Sequence, residues 1–441
     1  MKTNSLNSIT KYLVLAMLLI SGGVYAQQAP MQYFRSNDKN GLNVFETSKE
    51  EDKEFDGIKV RVGGDFAMQF QGLSHSNTAN NLVGLGKDFT LPTANLNLDV
   101  QLHDGVRMHL RTYLSSKHHN EAWVKGGFMQ MDKLDFIKEG FLEGFMKYAT
   151  ITVGLDEFNY GDAHFRRSDN ARAIFNPFVG NYIMDSFSTE AFGELTLQNN
   201  GLLLVVGLTN GKLNQNPVNQ QSVLADVADN KASFYGKVGF DKQMNDDLRV
   251  RLTGSWYMNN GINTGTWLYG GDRAGSRYYH VMRTIVDPPA NPANQFTDFD
   301  GRFNARFQKL TAVQLNPFIK FQGLEFFGIY EVASGKDVPN NNGAFTQVAG
   351  EILYRFGADE QYYIGGRYNT VSGKFNESAT VEQKINRVNI GGGWFLTKNV
   401  LAKIEYVNQQ YNDEPTAWTG ANARFNGGRF EGFMIEAVIG F

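Results

Sequence analysis

The chain ends Gly432-Phe433-Met434-Ile435-Glu436-Ala437-Val438-Ile439-Gly440-Phe441. Side chains along a strand point alternately to opposite faces. Phe433, Ile435, Ala437, Ile439 and Phe441 therefore share an apolar face, and Gly432, Met434, Glu436, Val438 and Gly440 share one that tolerates water. Any sheet covered on one side alternates in this way. The fold is decided by whether the pattern recurs through the rest of the chain.

It recurs in sixteen segments, approximately 58–70, 92–103, 106–115, 134–146, 149–155, 187–198, 201–208, 232–243, 247–259, 308–321, 324–332, 346–357, 360–371, 384–396, 400–411 and 430–441. In the second, Leu96, Leu98, Val100 and Leu102 oppose Asn95, Asn97, Asp99, Gln101 and His103; in the ninth, Leu248, Val250, Leu252 and Trp256 oppose Arg249, Arg251, Thr253 and Ser255. The connections alternate too. Tight turns at Asp104-Gly105, Lys147, Asn199-Asn200, Asn245-Asp246, Gln322-Gly323, Ala358-Asp359 and 397–399 are separated by long stretches such as 71–91, 116–133, 156–186 and 260–307. That rhythm predicts an all-β, 16-stranded antiparallel up-and-down transmembrane β-barrel, with short turns on the periplasmic side and long loops outside. An even strand number lets the first segment pair with the last, and closure is required because lipid satisfies no open edge. Eighteen strands remain open as an alternative: Trp267-Leu268-Tyr269 and Tyr278-Tyr279-His280-Val281-Met282 would supply a further hairpin within 260–307.

The N-terminus carries an export address. Lys2 and Lys11, an apolar run from Leu13 to Ile20, and Val24-Tyr25-Ala26 before Gln27 read as a signal peptide over 1–26. Residues 27–57 form a polar periplasmic segment, read as a flexible tail from its charge, with a tether or partial plug as the alternative. Residues 58–441 are the barrel. The 441-residue chain has no Cys, which removes disulfides, thiol catalysis and Cys-based zinc sites, and its net charge of −3 gives no pull toward nucleic acid. Gly 47 and 13% aromatic residues fit a β-rich chain with many turns.

The third long loop, 156–186, mixes acids and arginines with Phe158, Tyr160, Phe165, Phe175, Phe178, Tyr182, Ile183 and Met184. A solvated loop has little reason to hold these together, whereas a loop folded against the inner wall would bury them. Val153-Gly154-Leu155-Asp156 running into Tyr160-Gly161-Asp162 is similar to the end of the fifth strand in the phosphate-selective porin O/P group, with Leu155 in place of the usual Gln. With the signal peptide, strand number and terminal Phe441, the chain resembles a Gram-negative outer-membrane porin of that group or of the general trimeric kind. The resemblance implies a homotrimer in the outer membrane, in contact with lipid bilayer and lipopolysaccharide. It implies an inward-folded third loop as the constriction, and a role for Phe441 in barrel assembly. Carried onto this chain, the basic wall is Arg61, Arg107 and Arg111; the loop brings Asp156, Glu157 and Asp162 together with Arg166, Arg167 and Arg172. Opposed charges across a narrow aqueous passage would orient solutes and select ions.

By strand parity the inward cations and anions nearly balance, so composition gives no sign of ion preference. No cofactor or metal site is expected. His118-His119 with Glu121 presents its rings poorly for a metal. His164, Ser168 and Asp169 would need mutual contact for hydrolysis, and a loop inside a pore is the wrong place for it. The expectation is a non-enzymatic diffusion channel for ions and small hydrophilic solutes. Alternatives are a substrate-specific channel for an anion, phosphate or sugar, and an adhesion or scaffold barrel using 260–307.

Overall fold

The computed structural model describes residues 28–50, 53–115, 119–211, 231–261, 268–270, 273–284, 299–336, 341–414 and 416–441. The expected signal peptide lies outside them. Sixteen strands close into one antiparallel barrel, each paired with its chain neighbours and the last with the first. They are β1 Lys59–Ser76, β2 Asp88–His103, β3 Val106–Ser115, β4 His119–Met131, β5 Ala149–Glu157, β6 Thr189–Asn199, β7 Leu202–Thr209, β8 Ser233–Gln243, β9 Leu248–Asn259, β10 Lys309–Phe321, β11 Leu324–Lys336, β12 Asn342–Phe356, β13 Tyr362–Lys374, β14 Gln383–Thr397, β15 Val400–Tyr411 and β16 Arg429–Gly440. The seam runs from Asp65 opposite Gly440 to Ser76 opposite Arg429. It is extended by Gly64 N–H to Phe441 O at 3.0 Å and Phe441 N–H to Gly64 O at 3.1 Å.

Alternation sorts the two faces. On β9, Leu252, Trp256 and Met258 are exposed, while Arg251, Thr253, Ser255, Tyr257 and Asn259 are buried. Ile364 at 59% and Phe433 at 56% exposure belong to an apolar outer surface that runs round the barrel. Such a surface is costly in water and matched by hydrocarbon. Near the short turns, Tyr354, Phe356, Tyr362 and Trp394 stack side by side with centroids 5.6–6.0 Å apart, at the depth where aromatic rings edge a lipid layer.

The fourth strand differs from its sequence reading. It is His119–Met131, within the stretch read as a loop, and 134–146 is the β4–β5 connection with one helical turn at Glu143–Met146. Gly140 and Leu142 take left-handed φ values of 69° and 54°, which no strand continues. The true strand hides its pattern behind Gly126-Gly127. A Cβ there would sit 2.7 Å from Leu155 O and 2.7 Å from His109 O respectively, so the close approach of β3, β4 and β5 needs both glycines. Strand parity over 134–146 would turn Asp135, Glu139 and Glu143 inward; in that connection Asp135 is half-buried and Glu139 and Glu143 are exposed. Among the described residues of 260–307, Tyr278–Tyr279 pairs with Phe299–Asp300 outside the barrel ladder, which closes with sixteen strands; Trp267 lies outside the described residues.

Residues 28–50 are also not a free tail. Met31, Tyr33 and Phe45 are buried. Gln32 N–H bonds Gln101 Oε1 at 3.1 Å, Lys49 Nζ bonds Asp132 Oδ1 at 2.8 Å, and Asn43 Nδ2 bonds Glu325 Oε2 at 2.7 Å. Lys39 N–H reaches Lys398 O at 2.8 Å. The segment therefore crosses the short-turn end from the β2–β3 side to the β14–β15 turn. Its scattered apolar residues explain the difference: Phe45 packs edge-on against Phe165 and Phe318, at 5.6 and 5.4 Å.

Because Phe441 completes the seam, Phe441→Ala is expected to lower the yield of folded barrel in membranes while leaving the conductance of inserted molecules unchanged. Heat-modifiable gel mobility and single-channel recording read the two effects; normal insertion with altered conductance would contradict this.

Candidate functional site

The connection after β5 is bonded to the buried face of every strand from β8 to β15. Tyr160 Oη donates to Glu331 Oε1 at 3.0 Å, and Tyr182 Oη to Glu351 Oε2 at 3.1 Å. Backbone amides of Val179, Ile183 and Met184 donate to Glu405, Asn369 and Gln347 at 2.8, 2.6 and 2.9 Å. Lys403 Nζ donates to the carbonyls of Ala173 and Phe178, each at 3.1 Å, and Arg387 Nη1 to Asn181 O at 2.6 Å. Wall side chains thus supply the partners that an irregular backbone lacks. Arg166 Nη2 sits between Glu325 and Glu351, at 2.7 and 2.5 Å, and Arg355 and Arg367 bond the same two carboxylates.

A second cluster joins the connection to the N-terminal segment. Both Asp162 oxygens accept from Arg251, at 2.8 Å each, and Lys237 Nζ adds a 2.8 Å contact. Glu46 approaches the same cations, with Arg251 Nη1 at 2.8 Å and Lys237 Nζ at 3.2 Å. Burial raises the Glu46 carboxyl, but Arg251 and Lys237 outweigh it and bring it down to about 2. For Asp162 the same two cations likewise outweigh burial and hold the carboxyl far below its ordinary range. Burial keeps the His164 imidazole down at about 4 despite Glu157.

The β8–β15 side is thus bonded to the connection. A cavity of about 780 Å³ opens beside the short turns of β6–β9, lined by Glu46, Lys49, Asp241, Arg249 and Arg251, and two smaller ones lie along β1–β6. One of about 100 Å³ is lined by Arg35, Arg61, Arg107, Arg111 and Arg172 with Asp99, Phe34, Phe128, Phe175 and Phe441 among its other walls. A second of about 170 Å³ shares Arg35, Arg107, Arg111, Arg172 and Phe128 and adds Glu46, Asp156, Glu157 and Glu194. Where they meet, Arg111 Nη1 holds both oxygens of Asp156 at 2.8 and 3.1 Å, and Arg172 pairs with Glu157. Arg107 Nη2 donates to Gln130 Oε1 at 2.6 Å, with Asp99 3.8 Å from Nη1.

Of the residues singled out by sequence, Arg61, Arg107, Arg111, Arg172, Asp156 and Glu157 line these two adjoining cavities. Asp162 is at β8–β9, Arg166 at β11–β12, and Arg167 pairs within its own connection with Asp169 and Asp185. Ser168 Oγ donates to Val179 O at 2.7 Å, while the His164 ring faces Asn159 Oδ1 at 3.0 Å. Sequence reasoning missed Arg35, Asn43 and Glu46. The one local signal was the spacing of Met31, Tyr33, Leu42 and Phe45 within a charged stretch.

No known family model matches the chain, and no curated protein matches it in sequence. Similarity to solved structures is one of fold. An anion-selective porin from Comamonas acidovorans aligns over 87% of this chain and 100% of its own, at 9% identity and TM-score 0.51. The outer-membrane channel DcaP of Acinetobacter baumannii aligns over 88% and 99%, at 10% identity and TM-score 0.48. The trimer form of OmpT, an outer membrane protein of Vibrio cholerae, covers 88% and 100%, at 12% identity and TM-score 0.49.

Asp162→Ala leaves two buried cations without their nearest carboxylate. It is expected to cost about 3–5 kcal/mol, read from the urea midpoint of the refolded barrel. Glu46 behaves differently with pH. Its folded pKa is depressed, so its contribution is fully present above about 4.5 and is lost as pH falls through about 2. Pepsin cleavage within 28–50 is expected to rise as pH drops across that window, and Glu46→Gln should reduce the rise.

Proposed function

We propose that the chain is an outer-membrane porin: a passive, non-enzymatic channel through which ions and small hydrophilic solutes diffuse, working as a homotrimer without a cofactor. Export by the 1–26 signal peptide and contact with lipid and lipopolysaccharide belong to the same reading. The observation that carries it is the closed sixteen-strand barrel, apolar outside and polar inside, with arginine-lined cavities along β1–β6. A barrel of this size encloses more than side chains can fill, which suits an aqueous passage.

Selectivity in this reading is set where the 156–186 connection approaches Arg61, Arg107 and Arg111. Fixed guanidinium groups in a narrow passage raise the local concentration of anions and orient dipolar solutes. The small size of the two cavities favours a second, narrower version: a substrate-specific channel that passes few solutes but recognises one class.

In planar bilayers the purified protein is expected to give steady ohmic steps. A correctly inserted trimer without conductance would defeat the porin reading. Arg107→Ala and Arg111→Ala should each move the reversal potential in a salt gradient toward cations, changing the permeability ratio by about twofold or more. If neither ion preference nor conductance changes, the basic wall does not set selectivity.

A further inference from the structure

The smaller cavity has features that simple lumen solvation does not require. Its five arginines come from three places: Arg35 from the N-terminal segment, Arg61, Arg107 and Arg111 from β1 and β3, and Arg172 from the β5–β6 connection. Arg111 and Arg172 have Asp156 and Glu157 as direct partners. Asp99 is the carboxylate on this cavity's own wall, 2.8 Å from the His109 ring and 3.8 Å from Arg107. Arginines outnumber the carboxylates that face them.

That excess falls on particular groups. Among the described residues, neither Arg35 nor Arg61 has a carboxylate oxygen within 4.0 Å. Arg35 is held in place by backbone carbonyls instead, with Nε on Gly41 O at 3.0 Å and Nη2 on Phe165 O at 3.1 Å. Its Nη1, and the Nε of Arg61, are buried without a hydrogen-bond partner. The guanidinium groups are stacked on rings: Arg35 over Phe175 at 3.8 Å, Arg61 over Phe34 at 5.1 Å, and Arg107 over Phe128 at 5.3 Å. Fixed cations of this kind match a carboxylate, and the three rings offer flat apolar surface beside them.

We propose that this cavity binds a small aromatic monocarboxylate, its carboxylate among Arg35, Arg61 and Arg107 and its ring against Phe34, Phe128 and Phe175. The site is completed by the N-terminal segment, which brings both Phe34 and Arg35. The proposal rests on the porin reading for the route by which the ligand arrives, but binding itself does not need conductance. A cavity of about 100 Å³ has room for one such small group. Inorganic phosphate would meet the cations and leave the rings unused.

The test is calorimetric titration of the full-length protein in detergent with benzoate, and separately with phosphate. Saturable binding of one benzoate per chain is expected, weakened about tenfold or more by Arg35→Ala and by Arg61→Ala, and less by Phe34→Ala. Gel mobility of the unheated protein shows that each variant is folded, and Arg35 lies outside the barrel strands. Phosphate binding as tight as benzoate would overturn the aromatic half of the proposal. No benzoate heat, or the same affinity in folded Arg35→Ala and Arg61→Ala, would overturn it altogether. Benzoate binding without bilayer conductance would sink the porin reading and leave the site standing; conductance without benzoate binding would do the reverse.

Discussion

Hydrocarbon offers a peptide group no hydrogen bond. Everything in this molecule follows from that constraint. Each backbone ladder must end on another strand, and β16 must return to β1. Closure with sixteen strands then creates a second demand. The interior is too wide for wall side chains to meet in the middle. Two pieces of irregular chain, residues 28–50 and the β5–β6 connection, pack against the polar face, and their own backbone polar groups need partners. The wall supplies them with Glu405, Asn369, Gln347, Lys403 and Arg387.

Charge follows the same logic. Buried arginines on the wall would be prohibitive alone, and most are bonded to carboxylates on neighbouring strands or on the packed chain. Arg355 and Arg367 share Glu325 and Glu351 with Arg166, and Arg251 shares Asp162 with Lys237. Arg387 has no carboxylate within 4.0 Å among the described residues and is bonded instead to Gln409 and the carbonyl of Asn181. Arg35 and Arg61 also lack one, and they border a cavity.

Much of the barrel was legible because lipid and water impose a period of two on every strand. Fifteen of the segments read from alternation overlap the observed strands, and β3 and β15 match them end for end. The fourth failed for a local reason. Gly126-Gly127 has no side chains to alternate, and the aromatic residues of 134–146 imitated a strand. The same parity put Arg61, Arg107 and Arg111 on one side of β1 and β3, and these three line one cavity. The partners of Asp162 were not legible, because its contact with Lys237 and Arg251 depends on the path of a long connection. The N-terminal segment was misread for a similar reason: charge and low apolar content describe a tail unless a distant surface receives its few rings.

Lys237 and Arg251 serve two masters, and they do so unequally. Asp162 takes both cations deep in the wall, where neither is exposed to water beyond 1%. Glu46 touches the same pair from the segment, and Asp241 and Arg249 extend the cluster outward to side chains 19% and 26% exposed. If Glu46 leaves, Arg251 still faces Asp162 and Asp241, and the cluster meets water at Arg249, where charge is screened. If Asp162 leaves, two cations no more than 1% exposed lose the carboxylate that bonds both, and of its carboxylate contacts Lys237 keeps only the longer one, to Glu46. The two inserts are therefore tied in unequally: Glu46 shares a cluster that reaches water, and Asp162 holds its cations where there is none, an arrangement that lets the segment open locally at less cost than the connection.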